Sequence, residues 1–163
     1  MHVRDLMSRD LVTLNAQSDL DLAEGLMAVM RVRHLPVVSG RQLVGLVTHR
    51  DLLRASLSPL TDHSAEEEDR LKSTVPVARI MRRKIATARP EDDVRDAIRL
   101  MRRRRYGCLP VIDDEGDLVG LVTEADFLEL TQVLLDRVQS IDMETLLELA
   151  ADLRAEREEE ACA

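Results

Sequence analysis

The stretch GLVTHRD occupies residues 45–51, and GLVTEAD occupies residues 120–126. Five of the seven positions agree: Gly, Leu, Val, Thr and the final Asp. Working outward, the match lengthens. LVGLVT recurs at 43–48 and 118–123, HLPVV (34–38) returns as CLPVI (108–112), and VRDLMSRDLVTL (3–14) returns as VARIMRRKIATA (77–88). The turns between the apolar runs differ by one residue, SGRQ against DDEGD, so the offset moves from 74 to 75. An internal duplication therefore covers most of the 163 residues. Two copies are too few for a solenoid, and they predict two similar halves related by a pseudo-two-fold axis.

Each half reads in the order β-α-β-β-α. A short β-prone piece, LVTL or KIATA, comes first. A helix follows, with Leu22, Leu26, Val29 and Met30 as the predicted apolar face in the first half. Val94, Ala97, Ile98 and Met101 form that face in the second. Ser18 and Asp92 are the predicted N-caps. Two apolar runs, LPVV and LVGLVT, are joined by polar turn residues and predict a hairpin. A second helix follows each Thr-x-x-Asp. The fold class expected is α+β, a tandem pair of β-α-β-β-α halves. Its divisions are a first domain at 1–58, a linker at 59–76, a second domain at 77–135 and a helical acidic tail at 136–163. A short solvated helix is expected near Ala65–Lys72. Met143, Leu146, Leu147, Ala150 and Leu153 carry helical spacing in the tail.

Composition narrows the function classes. Hydrophobic residues make up 45 %, almost all aliphatic, with one Tyr, one Phe and no Trp. Stacking of single-stranded nucleic acid has little to work with. The formal net charge of -8 argues against general nucleic-acid binding. The charge is uneven: residues 77–110 hold eleven Arg/Lys against four Asp/Glu, and residues 111–163 hold three against sixteen. Cys108 and Cys162 give no disulfide framework. The N-terminus lacks the apolar region of a signal peptide, and no apolar run nears the ~20 residues of a membrane span. A cytoplasmic protein is expected. The four His show no ligand spacing, so no metal site is expected. No G-x-S-x-G, P-loop or Cys/His arrangement is present, so no enzyme is expected.

With both G-h-h-T-x-x-D segments in view, each preceded by h-P-V and by an N-terminal D-L-M or R-I-M, the chain resembles the CBS-domain family. In particular it resembles a stand-alone tandem pair, or Bateman module, over roughly residues 1–130. The resemblance implies a pseudo-symmetric disc with two clefts that take adenosine-containing ligands (AMP, ADP, ATP or S-adenosylmethionine). The ribose groups would be Asp51 and Asp126, with Thr48 and Thr123 beside them. Arg33 and His34 match the basic position before L-P-V. Gly107 and Cys108 stand there in the second half and depart from that pattern; the Arg102–Arg105 run lies close by and would be the substitute. That run reads first as a solvated helix C-terminus, where cations are favoured by the macrodipole, with pairing to the acidic tail as a further alternative. Arg50, Pro36, Pro110, Cys108, Thr13 and Thr87 complete the expected site. No cofactor is required, and an adenine nucleotide would be the regulatory ligand.

A carboxylate can accept both ribose hydroxyls in charge-assisted bonds. Glycine lets backbone approach a ligand without a Cβ in the way. The strand-to-helix junction leaves N–H groups free for phosphate. The same Thr-x-x-Asp also reads as a capping box; the whole pattern around both copies favours ligand binding, and Thr can serve both roles. His49-Arg50 against Glu124-Ala125 predicts that the first cleft favours phosphate and the second a less charged ligand. The function expected is a nucleotide-sensing module, a homodimer acting on an effector protein. The alternative is a structural or oligomerisation protein that keeps the fold without nucleotide.

Overall fold

The structure, a computed structural model, describes residues 1–56 and 72–137 together with Leu147, Glu148, Ala150, Ala151 and Arg154. The helix expected at 65–72 falls outside these residues except for Lys72, and so do Met143, Leu146 and Leu153 of the tail. Residues Met1–Asp126 form one compact unit and Phe127–Ala163 a second.

In the first half, β1 (Leu14–Asn15) runs parallel to β2 (His34–Ser39), and β2 pairs antiparallel with β3 (Gln42–Thr48). Helix α1 (Leu20–Met30) joins β1 to β2, and α2 (His49–Ser56) follows β3. The second half repeats this with α3 (Val94–Arg104), β4 (Cys108–Ile112), β5 (Leu118–Thr123) and α4 (Glu124–Arg137). Its β1 counterpart shrinks to a single parallel bridge between Ala88 and Val111. Registers coincide: Leu35 lies opposite Val47 and Pro36 opposite Leu46, as Leu109 lies opposite Val122 and Pro110 opposite Leu121. The tandem α+β architecture expected from the duplication is therefore present. Leu35, Leu109, Val37, Val111, Val47 and Val122 are fully buried. A Leu or Val loses about 1.5–3 kcal/mol of favourable transfer if returned to water.

Two local expectations are corrected. The N-caps are Asp19 and Asp93, whose side chains accept from the Leu22 and Arg95 N–H groups. Ser18 and Asp92 instead accept from Asn15 N–H and Arg89 N–H, closing the turn before each helix. The buried face of α1 is Leu20, Ala23 and Met27, whereas Leu22, Val29 and Met30 are exposed. The buried face of α3 is Val94, Ala97 and Met101, at the equivalent repeat positions. Leucine spacing alone selected the wrong stripe in α1, because that helix carries apolar residues on two sides.

Both helices end on an arginine in the left-handed region, Arg31 (φ 53°) and Arg105 (φ 54°). A side chain with a Cβ is strained there by roughly 1 kcal/mol. Arg31→Gly is expected to raise stability by up to about 1 kcal/mol, readable in a denaturant midpoint.

The N-terminal arm of each half packs on the other half. Ser8 exchanges two backbone hydrogen bonds with Leu121, and Arg82 does the same with Leu46. Val77 and Met81 are part of the first half's core, among Leu14, Leu20, Leu35 and Val47. Val3 N–H donates to Asp92 O, and Val77 N–H donates to Ser18 O. Each half's packing is thus completed by a segment remote in sequence.

This crossing explains the glycine of G-L-V-T. A Cβ on Gly45 would meet Met81 Cγ at 3.0 Å and Cβ at 3.3 Å, with the sulfur closer still. A Cβ on Gly120 would meet Met7 Cγ at 2.9 Å and Cβ at 3.2 Å in the same way. These glycines seat the methionines of D-L-M and R-I-M. Ligand approach, the reason expected for them, is replaced by packing of the crossed arm.

Candidate ligand cleft

Thr48 and Asp51 close the start of α2. Thr48 N–H donates to Asp51 Oδ2 at 3.0 Å and the Thr48 hydroxyl to the same oxygen at 2.6 Å. Asp51 N–H returns to Thr48 Oγ1 at 3.3 Å. At α4, Thr123 N–H and hydroxyl donate to Asp126 Oδ2 at 2.6 and 2.8 Å. The reciprocal capping box is therefore complete at α2, and at α4 its carboxylate half is present. Each helix start is also tied to the second residue before L-P-V: His49 N–H donates to Arg33 O at 2.9 Å, and Glu124 N–H to Gly107 O at 3.2 Å.

The two carboxylates differ beyond the cap. Asp51 Oδ1 accepts from Arg82 Nε at 3.2 Å and Nη2 at 3.0 Å. Burial would raise the Asp51 carboxyl, but hydrogen bonds from Thr48 and Arg82 outweigh it and hold the group below the usual range. Asp126 has no such partner: among the described residues, none donates to its Oδ1 and none forms an ion pair with it. The bridge opposite β5 is made by Ser8, in the place that Arg82 takes opposite β3.

A cavity of about 470 Å³ opens between the halves. Its wall takes Arg33, His34, Thr48, His49 and Arg50 from the first half. The second half contributes Arg82, Lys84, Arg105 and Glu124, with Tyr106, Gly107 and Cys108. Among the described lining residues, four Arg and one Lys thus face one carboxylate, a field that draws anions. The volume suits a small-molecule ligand.

Of the expected site residues, Arg33, His34, Thr48, Arg50 and Cys108 are gathered on this wall. Asp51 lies behind it, holding Arg82. Thr123 and Asp126 sit at the head of α4, one and two residues from wall residue Glu124. Pro36 and Pro110 are fully buried in β2 and β4 and position strands. Thr87 lines a separate cavity of about 420 Å³ with Gln42 and Arg83. Thr13 is exposed, ahead of β1. His49 and Arg50 of the first motif and Glu124 of the second edge the same cavity. Arg82 and Lys84 were missed as site residues, and the excess of basic residues in 77–110 was their only signal; Arg105 belongs to the Arg102–Arg105 run expected as a substitute for the missing basic position.

The departure at Gly107 has a steric cause. A Cβ there would lie 2.9 Å from His34 Nε2, so the imidazole occupies the space that a side chain would need. Burial, then Arg33, lowers the His34 pKa from its usual value, while Glu124 and Asp51 oppose the shift. Burial and Glu124 push the Cys108 thiol up to about 12. In a Cys162→Ser variant, Cys108 is expected to resist a disulfide reagent at pH 8 and to react at once in denaturant. Rapid labelling of the native chain would contradict this burial.

A fold of two crossed β-α-β-β-α halves around a basic cleft defines a class of ligand-binding module. The CBS domain model matches residues 3–58 and 77–132, and the chain belongs to the CBS-domain family. It is 35 % identical over 137 residues to a CBS domain-containing protein of Dictyostelium discoideum, covering 83 % of this chain and 94 % of that one. It resembles the structure of CBSX2 in complex with AMP, with a TM-score of 0.68 and 25 % identity, over 82 % of this chain and 97 % of that one. The CBS domain pair of MJ0100, in complex with 5'-methylthioadenosine and S-adenosyl-L-methionine, is similar at a TM-score of 0.68 and 25 % identity. That match covers 81 % of this chain and 96 % of that one. Other relatives are longer: the chain spans 22 % of an inosine-5'-monophosphate dehydrogenase of Thermoplasma acidophilum, at 32 % identity. Among the described residues, no helix is long and apolar enough to cross a membrane.

Proposed function

We propose that the chain is a regulatory module, not an enzyme, that binds an adenine nucleotide in the basic cleft and passes the binding on to a cytoplasmic effector protein. The observation that carries this is the wall of Arg33, Arg50, Arg82, Lys84 and Arg105, in which Arg82 is paired with Asp51 behind it and Glu124 is the one carboxylate among the described lining residues. Phosphate would lie against Arg33, His34 and Arg50, with Thr123 and Asp126 as the ribose-facing pair. The relatives bound to AMP and to S-adenosylmethionine support an adenosine-containing ligand. The cationic wall favours AMP, ADP or ATP over S-adenosylmethionine, whose sulfonium is itself a cation. Titration calorimetry against these four ligands tests the proposal. Heat with the nucleotides but not with S-adenosylmethionine is expected, and silence across the panel would end the reading. Signalling further requires that the nucleotide bind two conformations with different affinity.

His34 gives the reading a pH signature. Its folded pKa lies below the unfolded value of about 6.5. The unfolded chain therefore binds more protons, and the free protein loses stability as pH falls through 6.5. A phosphate beside His34 favours the imidazolium, so AMP affinity is expected to rise from pH 8 to pH 6.5. Titrations between pH 8 and pH 6.5, and thermal melts carried on below pH 6.5, should show the two opposite trends, and His34→Gln should flatten both.

A second reading, assembly as a homodimer, is favoured by one observation. Leu22, Val29 and Met30 leave an apolar strip exposed on α1, where α3 carries Asp96, Arg103 and Arg104 at the equivalent positions. Light scattering of Val29→Glu should show a smaller species than the parent; an unchanged mass would remove this face as the interface.

A further inference from the structure

The two motif carboxylates, equivalent in sequence, are placed in different chemical circumstances. Asp126 directs one oxygen to its cap and keeps Oδ1 without a donor among the described residues. Asp51 directs Oδ2 to the same cap and Oδ1 to two nitrogens of Arg82, at 3.2 and 3.0 Å. The Asp51 side chain is 9 % exposed and the Arg82 side chain 48 %. The carboxylate is therefore the buried anchor and the guanidinium the accessible end. Arg82 lies on the cleft wall and Asp51 does not. A guanidinium has five N–H donors, so two on Asp51 leave three for an anion in the cleft.

We infer that Asp51 does not receive the ribose but is a positioning residue, which holds Arg82 on the cleft wall as a phosphate-binding group. This rests on the nucleotide reading of the same cleft. Several features argue for it together. Arg82 is exchanged from the second half by the crossed arm, so its side chain reaches Asp51 across the junction of the halves. The backbone beside it is pinned, since Arg82 N–H donates to Leu46 O at 2.9 Å and Leu46 N–H to Arg82 O at 3.0 Å. A long side chain restrained at both ends gives up less freedom when a ligand arrives, which is the general source of preorganised affinity. A ribose on Asp51 Oδ1 would have to displace a charge-assisted pair, among the stronger hydrogen bonds available. The pseudo-symmetric position holds Ser8, which has no charge to position, so the arrangement belongs to one side of the pair alone.

The test compares AMP with 2',3'-dideoxy-AMP on the parent chain, Asp51→Asn, Arg82→Ala and the double variant, by calorimetry. Asn keeps an acceptor for the cap but loses the charge that holds the guanidinium. Asp51→Asn is expected to weaken both ligands by the same factor, about 3- to 10-fold, and Arg82→Ala by about 10-fold, the loss of one charge-assisted contact. In the Arg82→Ala background, Asp51→Asn should cost nothing further, because its effect passes through Arg82. A purely structural role for Asp51 would cost affinity in that background too, and would overturn the inference. A loss confined to AMP, with dideoxy-AMP unaffected, would return Asp51 to the ribose and overturn it as well. A parent chain that binds neither nucleotide would remove the nucleotide reading and this assignment with it; a parent that binds both leaves the inference to stand or fall on the variants.

Discussion

Valine at both Gly45 and Gly120 is expected to bring the chain close to unfolding. Each added side chain drives into a methionine of the crossed arm, Met81 or Met7. Overpacking of a filled site costs about 1–3 kcal/mol, and a domain has roughly 5–15 kcal/mol in total. The single variants should each lower the melting temperature by several degrees, at about 2–4 °C per kcal/mol for a chain of this length. The physical claim is specific to the pair, so shortening the partner should relieve it. Gly45→Val with Met81→Ala should lose less stability than the two single losses added together, because the new methyls fill space that the methionine vacates. Strict additivity would show that the glycine serves something other than the methionine. No such relief is expected for Gly45→Val combined with Met7→Ala, since Met7 packs on Gly120.

Removing two cations from the cleft is expected to have the largest effect on binding. Arg33 and Arg50 stand on the same wall, with Glu124 as the one carboxylate among the described lining residues. If each makes a charge-assisted contact to phosphate, each contributes about 1.5–3 kcal/mol. Arg33→Ala with Arg50→Ala should then weaken AMP by roughly 100-fold or more. Adenosine, which has no phosphate, should be almost unaffected. The parent's AMP affinity should fall with added salt, and the double variant's dependence should be shallower. Equal losses for AMP and adenosine would move the phosphate away from this wall. Thermal melts of the variant should stay near those of the parent, because Arg33 and Arg50 are both exposed.

Much of the fold was legible because the chain states it twice. The repeat itself marks the strands: Leu35, Val37 and Val47 recur as Leu109, Val111 and Val122, and both sets are buried. It would also have corrected α1, since Val94, Ala97 and Met101 point back to Leu20, Ala23 and Met27. Read by itself, the spacing of Leu22, Leu26, Val29 and Met30 is an equally good helical stripe, and nothing local says which stripe faces the sheet. The caps slipped by one residue for a similar reason: Ser18-Asp19 and Asp92-Asp93 each offer two acceptors, and backbone geometry alone assigns one to the turn and one to the helix.

The candidate site was legible in part. The basic residues before L-P-V and after G-L-V-T do meet in a cavity, and Thr-x-x-Asp does cap a helix in each copy. Arg82 and Lys84 arrive from elsewhere along the chain, and no spacing rule connects them to Arg33 or Arg50. By itself, then, the sequence determined the duplication, the β-α-β-β-α order, the buried strands and the Thr-x-x-Asp segments that open α2 and α4. These depend on neighbours a few positions apart. Only the tertiary structure decided that the arms cross, that the motif glycines seat methionines, and that one motif aspartate holds an arginine while its twin does not. Those outcomes depend on contacts between residues some thirty to more than a hundred positions apart, which local periodicity does not encode.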